Sequence, residues 1–332
     1  SESTAIDSIR RILAPTGSKW DTYSRRVHSA VVFVGHAALA FAIVGLAGHS
    51  LGWPRKRALS LAVVAAVAAT IPDLDMLVAI PSLFASAGSG FVPVEAFWDG
   101  AAAHRSITHS LVVAGPIALV IGLVSAGGRQ MGLGLGIALV TGGVLLALPG
   151  GELAVLAPFV LGAIALGVFA ERLPLGWRLV GLAAAIGLFT HPFGDLVTGD
   201  PPWLLYPAGL EMFTGRVVLA ADPTLHLLAA FFLELGAIWL GLFTIGRLQN
   251  RPLPTQIKPR AAVGGGFAFA VFLIPAPTLG ESYQFVFGAL TMGAIGLVPR
   301  DRQGPFTWVV TGLAAVTLAG VGYTVSYLVV AL

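Results

Sequence analysis

Cysteine is absent from the 332 residues. That excludes a disulfide framework, a thiolate metal site and a cysteine nucleophile. Charge is scarce as well: Asp, Glu, Lys and Arg make up 11% of the chain, against about a quarter in an ordinary soluble domain. A soluble two-domain enzyme and a disordered protein are thereby excluded. The formal net charge is only +3, too small for a phosphate-tracking surface, so nucleic acid is not an expected partner. Residues 1–28 are polar and mixed in charge, so no cleavable signal sequence is expected within them. With no thiol in the chain, any soft metal ligand must be one of seven histidines.

What the chain has in quantity is apolar sequence, 56% of all residues, with a mean hydropathy of +0.88. Its long apolar runs read as bilayer spans and predict an all-α, polytopic transmembrane helical bundle. Polar punctuation places candidate helices near 29–48, 58–80, 107–126, 131–148, 153–170, 179–197, 225–246, 261–279, 282–298 and 306–331. The Gly- and Pro-rich stretch 261–298 reads as two short spans or one broken one, so about eight to ten spans are expected. Residues 1–28 form a polar tail, within which 5–13 has the pattern of a short surface helix. A metal-site unit over 29–246 follows, then a basic linker at 247–260 and further helices over 261–332. Gly132 and Gly136 form a G-x-x-x-G step that lets helix backbones approach closely.

Alternating topology sorts the cations. One set of loops carries Arg55, Lys56, Arg57, Arg129, Arg172, Arg178, Arg247, Arg251, Lys258, Arg260, Arg300 and Arg302. The other carries Arg105 and Arg216, together with the five cations of the N-terminal tail. The positive-inside rule therefore puts the first set in the cytoplasm and turns the opposite face outward.

Ionisable residues inside spans are costly and mark function by default. They gather in three places. Pro72-Asp73-Leu74-Asp75 closes the second span, where Pro72 disturbs the helix and leaves two carboxylates on irregular backbone. His104-Arg105-Ser106-Ile107-Thr108-His109-Ser110 enters the third. The two histidines, about 140° apart on an ideal helix, converge only if His104 stays in the preceding loop. Ser106, Thr108 and Ser110 are candidate caps or partners that fix an imidazole tautomer. The third place is His191-Pro192-Phe193-Gly194-Asp195, which closes the sixth span with its His and Asp on one helical face. Up-and-down topology brings all three to one membrane face, and His36 in the first span lies toward it. Asp222, His226 and Arg216 are second candidates on the same side, and Glu234 lies deeper in the seventh span.

Together these residues resemble the YdjM-like family of membrane-bound, metal-dependent hydrolases, described as LexA-regulated and inner-membrane-associated. The resemblance is carried by Gly35-His36, Pro72-Asp73-Leu74-Asp75, the segment His104 to Ser110 and His191-x-x-x-Asp195. It continues through Thr198-Gly199 and Leu204-Leu205-Tyr206-Pro207, and more loosely through Arg216 and Asp222-Pro223. The family pattern usually has Gly where this chain has Ser106. Residues 127–178 and 247–332 lie outside the resemblance.

Membership implies a metal-dependent hydrolase in the inner membrane. Seven candidate ligands, His36, Asp73, Asp75, His104, His109, His191 and Asp195, exceed the four of one tetrahedral zinc. Mixed imidazole and carboxylate donors suit zinc, with manganese the alternative, and their number suggests two ions. Asp75 is a ligand or the general base, Arg105 the anion clamp and Arg216 a second anion-binding cation. The expected substrate is a phosphoester in a membrane lipid or lipid-linked molecule. Two rivals use the same residues differently: a metal-ion or proton-coupled transporter, and a non-catalytic scaffold. A transporter needs polar residues that continue to the far face, and there His49 is the only lead.

Overall fold

The structure, a computed structural model, describes residues 34–85, 105–298 and 304–331. Among these there is no strand. The helices are α1 (Val34–Ser50), α2 (Arg55–Ala68), the short α3 (Ile80–Ala85), α4 (Leu111–Val124), α5 (Gly128–Ala147), α6 (Leu153–Glu171) and α7 (Trp177–Gly194). They are followed by α8 (Pro223–Gln249), the single turn α9 (Leu253–Gln256), α10 (Tyr283–Leu297) and α11 (Pro305–Ala331). Four 3₁₀ segments interrupt them, Pro72–Ala79, Ile107–His109, Asp195–Val197 and Pro259–Phe272.

Five helices (α5, α6, α7 with its 3₁₀ extension, α8 and α11) are long and apolar enough to cross a membrane. The pair α2 and Pro72–Ala79, bent by 43°, is together long and apolar enough to be a broken span or a re-entrant loop. The kink has the predicted cause: Pro72 has no N–H to continue the α-helical ladder, and the chain tightens to 3₁₀. α1 and α4 are shorter apolar helices.

The 261–279 stretch folds as a 14-residue 3₁₀ helix, Pro259–Phe272. At about 2.0 Å rise per residue it reaches about 28 Å, close to the ~30 Å of a hydrocarbon core. An irregular segment then leads into α10.

α7 sits at the centre of the first unit, packed against α1, α2 and α4. Half of its most apolar window is buried, against 17% for α5 at the periphery. Glycine makes the close approaches possible. Gly187 of α7 lies against the α2 backbone at Ala65 and Ala69, and Gly122 of α4 faces Gly181 of α7. The G-x-x-x-G step read from the sequence is not one of them: nothing among the described residues approaches Gly132 or Gly136. Their helix is the least covered of the bundle, so contacts within the chain come from other glycines.

The last three helical segments, Pro259–Phe272, α10 and α11, pack on one another, and α11 docks on α8. Phe231, Phe267, Phe285 and Tyr323 form the aromatic centre there, with Phe285 edge-on to Phe231 and Tyr323 at 5.1 Å.

Candidate metal centre

All three polar clusters meet where helices end in 3₁₀ turns. Pro72–Ala79 supplies Asp73 and Asp75, and Ile107–His109 supplies Thr108 and His109. The end of α7 supplies His191, and the turn that follows it supplies Asp195. α1 adds His36 in its first turn. His36, Asp75, His109, His191 and Asp195 are all buried. His104 lies outside the described residues.

Oxygens of Asp73 and Asp195 lie close to a pair of histidine nitrogens. His109 Nε2 and His191 Nε2 are 3.0 Å apart. Asp73 Oδ1 lies 3.3 Å from His191 Nε2 and 3.7 Å from His109 Nε2. Asp195 Oδ2 lies 3.3 Å from His109 Nε2 and 3.7 Å from His191 Nε2. A tetrahedral ion with bonds of about 2.0–2.1 Å has donor atoms about 3.3 Å apart, and the three separations among Asp73, His109 and His191 bracket that value. The other oxygen of Asp195 faces away from this group, with Oδ1 3.5 Å from His36 Nε2. His36, His191 and Asp195 thus form a second group, and Asp73, His109 and His191 the first. Asp195 offers one oxygen to each.

The donor set fits a cation on a further count. His36 Nε2, His191 Nδ1, Asp73 Oδ2 and Asp195 Oδ2 are buried and have no hydrogen-bond partner in the protein. Buried polar atoms are almost always paired, and a cluster of exceptions calls for a ligand. These buried groups can hold a metal ion.

The surroundings fix the ligands in place. Thr108 Oγ1 donates to Asp75 Oδ2 at 2.6 Å. Its single proton is thereby committed, so at 2.9 Å it accepts from His109 Nδ1–H. That tautomer leaves the His109 Nε2 lone pair for the centre, the usual arrangement behind a metal-bound histidine. Asp75, read from the sequence as ligand or general base, therefore stands behind His109 and outside both donor groups.

Arg105 also differs from expectation. Its Nη2 donates to Asp195 Oδ1 at 3.2 Å and to Thr198 Oγ1 at 2.9 Å, so the guanidinium braces a ligand. Its backbone holds φ 68°, a strained region for a non-glycine residue. Trp203 N–H, donating to the Arg105 carbonyl at 3.3 Å, helps keep it there. A Cβ on Gly199 would run into the guanidinium, which accounts for glycine after Thr198.

The 199–207 loop secures this face. Ser110 caps α4 by accepting from Val112 N–H and donates to the Tyr206 carbonyl at 2.6 Å. Leu111 N–H donates to the Leu204 carbonyl at 2.9 Å. Trp203 stacks on Tyr206, whose hydroxyl donates to the Pro149 carbonyl. Partial burial pushes the Tyr206 phenol up, so it remains a donor.

The remaining candidates are not brought into the centre. His226 Nδ1 accepts from Leu219 N–H at 3.0 Å, and Nε2–H donates to the Val197 carbonyl at 2.9 Å. Both ring nitrogens are used, and the residue is a strut between the loop and the Asp195 turn. Asp222 caps α8 by accepting from Leu225 N–H at 2.8 Å and accepts from the Tyr327 hydroxyl at 3.1 Å. Arg216 is exposed on the loop that Val217 N–H pins to the Leu196 carbonyl. His49, at the end of α1, is exposed too. Gly194 was not singled out by the sequence, yet a side chain there would collide with the His36 ring.

No curated protein and no solved structure matches the chain. Residues 31–276, which contain every donor of both groups, match the profile of the YdjM inner membrane protein family. With most of its length inside that match, the chain belongs to the YdjM family of inner membrane proteins.

Proposed function

We propose that this protein is a metal-dependent hydrolase of the cell membrane, acting on a phosphoester in a lipid or lipid-linked substrate. The observation that carries the proposal is the buried double donor group, centred on His191 and Asp195, with unpartnered donors on four residues. Asp73, His109, His191 and Asp195 would hold one ion, and His36 with Asp195 would take part in holding a second. Zinc fits the mixed donors best, with manganese the alternative. When bound, such ions lower the pKa of a water and stabilise charge developing on the attacked group.

The chain's own residues supply the rest. Asp73 Oδ2, without a hydrogen-bond partner, takes the proton from the attacking water, the role that Asp75 cannot reach from behind His109. Asp75 and Thr108 hold His109 in its ligating tautomer. Arg105 keeps Asp195 oriented, and its Nε, which has no hydrogen-bond partner, is a donor for an anionic substrate oxygen. Arg216, exposed on the adjacent loop, attracts an anionic headgroup toward this face. The distribution of loop cations turns the face outward.

The placement of the polar groups favours this reading over a transporter. Among the described residues, the buried imidazoles, carboxylates and guanidinium belong to the helix ends just described or to the start of α8. None continues toward the end of α1 that carries His49.

The test is a metal count on purified protein, combined with a hydrolysis screen of phosphomonoesters, phosphodiesters and lipid extracts. We expect transition metal in the wild type, its loss in His109→Ala, and hydrolysis abolished by Asp195→Asn. Protein without transition metal sinks the metal centre. Bound metal without Asp195-dependent hydrolysis replaces the enzyme with a transporter. Because the chain has no native cysteine, labelling of cysteines introduced at 90 and 255 reports orientation against a clean background.

A further inference from the structure

We propose that Glu234, a carboxylate on the transmembrane helix α8, is the positioning residue for His36 and thereby governs the second ion position. This deepens the metal-centre reading and rests on it. An acidic side chain at this depth is costly unless something holds it. Glu234 lies about three turns into α8 and is the only acidic residue of that helix. Its Oε1 accepts from Gly35 N–H at 2.6 Å, and the carboxylate also takes a backbone hydrogen bond from Val34. The carboxylate thus ties α8 to the backbone of α1 beside His36, across 199 residues of chain.

Two glycines show how closely the arrangement is fitted. A Cβ on Gly35 would overlap the Glu234 carboxyl group, and a Cβ on Gly194 would overlap the His36 ring. The Gly35-His36 pair therefore has a physical explanation. Glycine admits the carboxylate, and the next residue is the ligand that the carboxylate places. His36 is the sole donor that α1 gives to either group. Its ring lies 4.2 Å from that of His191 and its Nε2 3.5 Å from Asp195 Oδ1. Without Glu234 the backbone beside His36 loses its tie to α8, and His36 loses its fixed approach to Asp195. Asp73 and His109 are carried by other elements and keep their places.

A tie that served stability alone would weaken both ion positions alike or neither. The test therefore reads the two positions separately. Zinc is titrated into metal-stripped full-length protein in detergent, with bound ions counted after dialysis and monodispersity checked by gel filtration. The proteins are wild type, His36→Ala, Glu234→Ala, Glu234→Gln and Gly35→Ala. We expect two ions in the wild type. The same one should be weakened in His36→Ala, Glu234→Ala and Gly35→Ala, by about 10–100-fold, as for lost supports of metal ligands. The other ion should bind unchanged. Glu234→Gln keeps an acceptor oxygen and should restore wild-type binding.

Glu234→Ala that holds both ions normally, or loses both together, overturns the proposal. So does Glu234→Gln that binds as poorly as the alanine variant, because charge and not placement would then be the cause. A single wild-type ion that His36→Ala leaves in place removes the His36 position, and this proposal with it, while the Asp73 group stands. A wild type that binds no zinc overturns the metal centre itself.

Discussion

The two halves of this membrane protein bury different chemistry. Around α7, side chains able to carry charge are enclosed: His36, Asp75, Arg105, His109, His191 and Asp195. Where α8 meets the terminal segments, the enclosed side chains are Phe231, Phe267, Phe285 and Tyr323, in edge-on and tilted ring contacts. Lipid tails are as apolar as leucine, so neither half is held by a hydrophobic force of the kind that folds soluble domains. The terminal half gains from packing and from hydrogen bonds between uncharged groups such as Trp239 with Thr317 and Thr307 with Gln256. The α7 half carries a desolvation cost that only mutual pairing, or a bound ion, offsets. Stability and function therefore fall on separate residues, and substitutions can show it.

The largest effect should come from a reciprocal pair of substitutions. His191 is the one histidine common to both donor groups. His191→Ala is expected to lose both ions and all metal-dependent activity, while the protein still purifies as a monodisperse species. Phe285→Ala should do the reverse. It opens a cavity in the aromatic centre at a cost of about 24 cal/mol per Å3 of unfilled volume, about 2–3 kcal/mol for a phenyl ring, and it should leave the metal count intact. Thermal unfolding in detergent, with and without added zinc, reads both. If Phe285→Ala strips metal, the division of labour between the halves is wrong.

A smaller effect tests the support behind one ligand. Thr108→Val keeps the shape of the side chain and removes the hydroxyl between Asp75 and His109. The imidazole then loses the acceptor that fixes its tautomer. Metal affinity should fall about 10–100-fold, and apo-protein stability by about 1–3 kcal/mol because buried polar groups lose a partner. An unchanged zinc affinity would show that the hydroxyl is a bystander.

That residue also marks how far the sequence could be read. Helix ends and up-and-down topology were enough to bring Asp73, His109, His191 and Asp195 to one face, because span boundaries follow from apolar runs and Pro72. Asp73 was read as a ligand and Asp75 as a ligand or the general base, because sequence does not show the rotation between them. In a 3₁₀ turn successive residues are about 120° apart, so the two carboxylates diverge, one toward His191 and the other toward Thr108. Arg105 was recognisable as a cation, but its partner Asp195 lies 90 residues away. Glu234 and Gly35 are 199 residues apart and joined through a backbone amide, which no side-chain pattern encodes. The G-x-x-x-G step in α5 is a local pattern that meets no partner helix among the described residues.

The smallest effect lies on the seam between the halves. One oxygen of Asp222 caps α8, and the other accepts the Tyr327 hydroxyl of α11. The same α8 carries His226, which braces the Asp195 turn through the Val197 carbonyl. Asp222→Ala should lose the cap, about 1 kcal/mol, along with the tie to α11. Tyr327→Phe should lose the tie alone. Combining the two isolates their coupling, because each single variant removes the same hydrogen bond. If the terminal segments only pack, the metal count and zinc affinity stay at wild-type values in all three variants while the unfolding temperature falls modestly. A drop in zinc affinity in Tyr327→Phe would instead make α11 part of the support of the site, through Asp222, the first turn of α8, His226 and the Asp195 turn in succession.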